Sequence, residues 1–436
     1  MTSPTLTSAR LNGITIRYAS QGPTGPDVPL ILFLHGWPES WYSYRHQLAS
    51  LSEQGYLCVA PDMRGYGGTS APKHKEDYNV YALAGDALAL VRHLGYNSCL
   101  LVGHDWGAWL AWHLTLMYPD TFLATCAMSV PYAGRPDAGL LTFLRSRYGD
   151  SLDPAQRHTS NFHYMLLNNL PEAEAAYEEN LRELLYRLYA FLPGVDVDSG
   201  TPEITDPRMF IDPARPHDNN KTKKKTKKAP GGGGGLVGGL VAVTERGEEA
   251  GADAAAATAA TAAMVASVAS AAAAAATTRP ADGKEAVGFW SRLPRPTRMP
   301  DWLSEEDLNM YVSEFQSAGF LGGLMHYRTP DLNWLLTPKL KGRKVQQPIL
   351  FLAGDMDMVI LAYAGEKNVR RVVTAACEQE PKMVFYPGKG HWIQQEEADA
   401  VNSELRSFFG GLPESLVARA KPASNVVAPP AVFSRL

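Results

Sequence analysis

Cysteine is scarce, neither charge sign dominates, and no long run of large apolar residues occurs. The 436-residue chain has four cysteines, at 58, 99, 126 and 377, without a CxxC pair or a Cys/His cluster. That argues against a zinc site or a disulfide scaffold. Contexts such as "YLCVA" and "SCLLV" read as buried free thiols in a reducing compartment. The formal net charge of −4 argues against nucleic acid as the main partner. The opening "MTSPTLTSARLNG" has no apolar stretch, so secretion is not expected. The run Ala252–Ala276 is long enough to span a bilayer but is mostly Ala, Thr and Ser with almost no large apolar residues, so no stable membrane insertion is expected.

What is present is an alternation of strand and helix signals. "PLILFLHG", "YLCVAPD", "SCLLVGHD" and "FLATCAMSV" are short apolar runs of the kind buried on both faces of a parallel sheet. "LNGITIRYA" alternates as a half-buried edge strand does. Helices are expected at Trp41–Leu51, Asn79–Leu94 and Trp106–Met117. The pattern resumes with "QPILFLAGDMD", a helix at Ala364–Ala376, "KMVFYPG", and a helix at Glu396–Phe409. This predicts one α/β domain, a mostly parallel open sheet flanked by helices, in two parts: residues 1–130 and 341–410.

Residues 131–340 then form a helical cap inserted over the carboxyl ends of the strands. Its helices include "PEAEAAYEENLRELLYRLYAFL" and "SEEDLNMYVSEF", where Ser304 and Asp307 have capping-box spacing. Within the cap, residues 213–288 carry Lys, Gly and Ala tracts that cannot build a core and read as a disordered insertion. Residues 411–436 are a tail.

In "LLVGHDWGAWLAW", Gly103 and Gly107 flank a central Asp105. A G-x-S-x-G elbow would put the attacking serine there, projected from a tight strand-to-helix turn. Asp105 is either a nucleophile or an N-cap of the following helix. His35-Gly36-Trp37-Pro38 ends an earlier strand, where such folds offer an oxyanion-binding amide, here that of Trp37. The Trp106 amide is the second donor. Asp355 and Asp357 follow a late strand and His391 lies in the Gly-rich "PGKGHW". Nucleophile, acid and histidine thus occur in the chain order of the α/β-hydrolase fold.

A carboxylate that attacks carbon leaves an ester whose carbonyl belongs to the enzyme. Water activated by His391 then attacks that carbonyl. Attack on a carboxylic ester would give an anhydride, so the suitable substrates have electrophilic sp3 carbon: epoxides or alkyl halides.

"HGWPESWYS", "DMRGYGGTSAP", "GHDWGAWLAW" and "GHW" together resemble the soluble epoxide hydrolases of the α/β-hydrolase superfamily, over roughly 28–190 and 300–410. The resemblance implies hydrolysis of an apolar epoxide to a vicinal diol, with Asp357 as the acid in register and Asp355 as the alternative. It implies Tyr164 and Tyr327 as cap proton donors, although Asn168-Asn169 stand where the family has Phe-Gln. Glu39 resembles a glutamate that positions the hydrolytic water; the alternative is a helix cap. No metal or organic cofactor is implied, and the partners are the epoxide and water.

A haloalkane or haloacid dehalogenase is the alternative. Against it, Trp37 replaces the Asn of the HGNP turn, and residues 106–109 lack Arg-x-x-Arg. A non-catalytic ligand-binding protein is a further alternative. The closing Ser434-Arg435-Leu436 resembles a peroxisomal import signal read by a receptor, with the cytoplasm as second address. Oligomeric state is left open.

Overall fold

The computed structural model describes residues 3–148, 164–190 and 295–423. The insertion at 213–288 and Ser434-Arg435-Leu436 lie outside the described residues.

Eight strands form one sheet: β1 (Thr5–Leu11), β2 (Ile14–Gln21), β3 (Leu30–Leu34), β4 (Leu57–Pro61), β5 (Cys99–His104), β6 (Phe122–Met128), β7 (Ile349–Gly354) and β8 (Lys382–Tyr386). Their order is β1-β2-β4-β3-β5-β6-β7-β8. The pairs β1/β2 and β2/β4 are antiparallel and the others parallel. Strands β3 to β7 are buried along their whole length, as their continuous apolar runs require.

Around this sheet lie α1 (Arg45–Ser52), α2 (Val80–His93) and α3 (Trp106–Met117). The expected bounds of α3 match the structure. The expected helix at Trp41–Leu51 is instead a 3-10 turn, Trp41–Tyr44, capped by Ser40 and continued by α1.

The chain leaves the sheet between β6 and β7. The described helices there are α4 (Leu140–Tyr148), α5 (Tyr164–Leu167), α6 (Ala173–Glu179), α7 (Leu181–Ala190), α8 (Glu305–Ala318), α9 (Leu321–Arg328) and α10 (Pro330–Leu336). The long helix expected over 171–192 breaks at Asn180, between α6 and α7. Helix α8 carries the expected capping box of Ser304 and Asp307. The chain closes with α11 (Met358–Ala362), α12 (Glu366–Ala376), α13 (Ile393–Glu396), α14 (Ala398–Gly410) and α15 (Glu414–Arg419).

One expectation is corrected. "LNGITIRYA" is not a single edge strand: Asn12 and Gly13, at φ 47° and 78°, turn the chain between β1 and β2. Asn-Gly accepts left-handed backbone at little cost, which favours a two-residue hairpin. The exposed edge is β1, "TLTSARL", where only Ala9 and Leu11 are half-buried against the core, too few to mark a strand by apolar alternation. All four cysteines are free and buried, as their contexts implied. Among the described residues, no helix is long and apolar enough to cross a membrane.

Candidate active site

The turn from β5 to α3 holds Asp105 at φ 51° and ψ −120°. A non-glycine residue at positive φ costs about 1–3 kcal/mol, and the surrounding packing must hold it there. The packing leaves no room for side chains nearby. A Cβ on Gly107 would lie 1.9 Å from the Leu34 carbonyl oxygen, and one on Gly103 would lie 2.4 Å from that of Gly107. Those two glycines therefore let β3, β5 and the start of α3 converge. The helix begins at Trp106, so its amino end supports a carboxylate at 105. The N-cap alternative is not realised: the Asp105 side chain makes no capping hydrogen bond.

The Trp37 amide donates to Asp105 Oδ1 at 2.8 Å, and His391 Nε2 lies 3.5 Å from Oδ2. His391 Nδ1–H faces both oxygens of Asp357, at 2.9 and 3.0 Å. Asp357 is fully buried and also accepts from the Val359 amide at the start of α11. Asp355 turns away and accepts from the Gly388 amide at 2.7 Å, tying the loop after β8. Geometry thus pairs His391 with Asp357 rather than Asp355.

Burial alone would raise the pKa of Asp105, but the His391 hydrogen bond and charge reverse this, aided by His104 and the Trp37 amide, and lower it. Burial likewise works to lower the pKa of His391. Asp357 and Asp105, one on each ring nitrogen, outweigh it and raise the value well above the ordinary imidazole. His391 thus sits between two carboxyl groups, and each favours the protonated ring.

Buried polar groups around the His391 peptide hold it in place, and sequence reasoning missed them. His104 Nε2 and Ser129 Oγ both donate to the His391 carbonyl, each at 2.8 Å. Glu396 accepts from the amides on either side, Gly390 at 2.7 Å and Trp392 at 2.8 Å. His104 Nδ1 reaches Glu39 at 2.8 Å. Glu39 also accepts from the Gly36 amide and from Gln394. It does not cap the following turn; Ser40 does. A histidine ending a wholly buried strand must find partners, and that was the available signal for His104.

The tyrosine side is built from helices. Tyr327 on α9 packs nearly edge-on against Trp37, Trp106 and Tyr164, with ring centres 5.4, 5.1 and 5.9 Å away. Burial raises the pKa of both tyrosines, and the nearby Asp105 charge adds to it, so each keeps its proton at neutral pH. Helix α9 comes this close because Gly322 meets the backbone of Gly65 and Gly323 meets Trp37. Asn169 bonds the carbonyls of Met165 and Tyr327, at 2.7 and 3.0 Å, joining the two tyrosine-bearing segments.

A cavity of about 170 Å³ opens from Asp105 along Trp106, Trp109, Tyr164 and Met165. Its walls are mainly apolar.

Comparison with known proteins places the fold and the family. Residues 29–181 match the family described as alpha/beta hydrolase fold. Epoxide hydrolase A of Mycobacterium tuberculosis is 31% identical over 412 residues, covering 94% of this chain and 99% of that protein. Epoxide hydrolase 3 of Siraitia grosvenorii is 28% identical over 404 residues, covering 91% and 96%. The crystal structure of epoxide hydrolase A from Mycobacterium thermoresistibile superposes with a TM-score of 0.67 at 29% identity, covering 94% of this chain and 99% of that one. With a carboxylate at the elbow, a histidine behind it and relatives matched over nearly their whole length, the chain belongs to the epoxide hydrolases of the α/β-hydrolase fold.

Proposed function

We propose that this epoxide hydrolase opens an apolar epoxide through a covalent ester on Asp105. The observation that carries the reading is the line Asp105–His391–Asp357, with the Trp37 amide already on Asp105 Oδ1. Because Oδ1 is held there, Oδ2 is the attacking atom. It forms a bond to a ring carbon, the C–O bond of the epoxide breaks, and the electron pair moves to the ring oxygen. That oxygen takes a proton from Tyr327 or Tyr164, whose raised pKa values keep the proton available. The helices between β6 and β7 serve as the cap that carries both tyrosines: Tyr164 lines the cavity with Asp105, and Tyr327 packs against Tyr164 and Trp106.

Ester formation removes the charge of Asp105, and with it one of the two carboxylates that raise His391. His391 then gives its extra proton to solvent and acts as a neutral base, regaining that proton once Asp105 is again a carboxylate. Water attacks Asp105 Cγ and gives a proton to His391 Nε2. The Trp37 and Trp106 amides hold the tetrahedral oxyanion. The acyl–oxygen bond breaks, the diol alkoxide takes the proton from His391, and the second water proton returns to the tyrosinate through solvent. The water oxygen stays in Asp105. Glu39, bonded to the Gly36 amide beside this centre, helps to place that water.

The test is His391→Gln mixed with a stilbene oxide. The expected result is a protein mass increased by one epoxide, on the peptide containing Asp105. No adduct on that peptide, with the variant folded, contradicts the reading. Ser434-Arg435-Leu436 completes the proposal as a peroxisomal address. Deleting these three residues should move the protein to the cytoplasm, and an unchanged location contradicts the address.

A further inference from the structure

The cavity that begins at Asp105 has one polar corner. Tyr132 and Arg135, in the segment after β6, both line it. Tyr132 is 7% exposed, and its hydroxyl is buried with no hydrogen-bond partner among the described residues. Arg135 donates from Nη2 to the Trp334 carbonyl at 2.8 Å and lies 4.5 Å over the Trp334 ring. Its Nη1 reaches the Pro136 carbonyl at 3.5 Å. The Nε–H is buried and unpartnered.

Guanidinium carries five N–H donors, so most of its capacity is unused. No ion pair joins Arg135 to a carboxylate among the described residues. Among the described residues, Asp105 is the only acid lining the cavity, and His391 pairs with it. His113 on the same wall adds no charge. Burial pushes its pKa down to about 4, and its Nδ1–H donates to the Trp109 carbonyl. The corner therefore combines an unbalanced cation with two buried, idle donors, an arrangement that is costly unless something accepts from them.

We propose that Tyr132 and Arg135 form an anion subsite for the carboxylate of an epoxide-bearing acid. The apolar chain of such an acid lies along the cavity wall between this corner and Asp105. The inference rests on the reading of Asp105 as the nucleophile. A carboxylate accepts a planar pair of N–H groups from guanidinium and a third bond from the phenol. A neutral ester of the same chain length cannot recover that interaction.

The experiment compares kcat/KM for terminal-epoxy hexanoate, octanoate and decanoate with their methyl esters, in the wild type, Arg135→Met and Tyr132→Phe. The expected result is a preference for the acid at one chain length. Arg135→Met lowers that acid by about tenfold to a hundredfold, and Tyr132→Phe by about three- to tenfold, while the esters change less than about threefold. Equal rates for acid and ester in the wild type, or equal losses on both in the variants, overturn the subsite and leave Arg135 as packing for Trp334.

Arg135→Met removes a support of α10. If it fails to fold, inhibition of the wild-type enzyme by octanoate against octanamide decides. Stronger inhibition by octanoate supports the subsite and equal inhibition overturns it. Styrene oxide separates the two readings. If no protein turns over this neutral epoxide, the hydrolase assignment fails; if all do but acids gain nothing, only the subsite fails.

Discussion

On the sheet side of the site, Asp105 is fixed by its own neighbourhood. Gly103 and Gly107 sit two residues either side, the next residue starts a helix, and the Trp37 amide and His391 hold the two carboxylate oxygens. On the helix side, Tyr327 is fixed by distant partners: edge-on rings of Trp37, Trp106 and Tyr164, two glycines that allow close approach, and the amide of Asn169. Charge and backbone geometry secure one half, aromatic packing the other. The two halves therefore respond differently to change. Under the proposed mechanism, a substitution on the sheet side removes a chemical step, whereas one on the helix side weakens a step by displacing or deleting a donor.

The largest expected effect separates the two roles within the sheet side. Asp105→Ala should lower turnover by about 10⁴ or more, with no ester formed. His391→Gln should lower kcat by about 10² to 10⁴ while the first ester still forms. Rapid-quench kinetics with mass detection distinguishes them. If both variants lose ester formation equally, the division of labour is wrong.

Next comes the helix side. Tyr327→Phe and Tyr164→Phe should each slow ester formation by about tenfold to a hundredfold, and the double variant by about 10³. Stopped-flow fluorescence of the site tryptophans measures this directly. A double variant no slower than either single one would show that only one hydroxyl serves.

The pH dependence sharpens the electrostatic half. His391 is raised in the resting enzyme by Asp357 and Asp105 together. Once the ester neutralises Asp105, its value falls. Hydrolysis of the ester should thus rise with pH and level off below the pH at which His391 titrates in the free enzyme. Asp357→Asn removes the remaining support and should shift the plateau lower still. Asp355→Asn removes a charge that does not face His391, keeps an oxygen for the Gly388 amide, and should leave the profile in place. A shift with Asp355→Asn would reverse the assignment of the acid.

The smallest effect tests the packing. A Cβ on Gly322 would lie 2.3 Å from Gly65 backbone atoms. Gly322→Ala should cost about 1–3 kcal/mol of stability. It should slow ester formation more than ester hydrolysis, because α9 carries Tyr327 and not His391.

How much the sequence disclosed follows the same division. The buried strands, α3 and the elbow glycines are legible because each depends on residues close by in the chain, whereas Asp357 was preferred to Asp355 through resemblance alone. The hairpin at Asn12-Gly13 escaped because β1 is mostly exposed, with only Ala9 and Leu11 packed on the core. The break at Asn180 escaped because α6 and α7 are both strong helix formers, and only packing decides where one stops. The tyrosines were reached through resemblance alone, since nothing local marks two of 19 tyrosines as donors. His104, Ser129 and Glu396 were missed because their role is to hold the peptide of His391, hundreds of residues away for two of them. Such contacts have no sequence spacing to betray them.

The most direct measurement is a single turnover of stilbene oxide in heavy-oxygen water with enzyme in excess. The account predicts that the first diol carries only ordinary oxygen, with the label in the peptide containing Asp105. Label in the first diol, and none in that peptide, would mean that water attacks the epoxide directly and that Asp105 never becomes an ester.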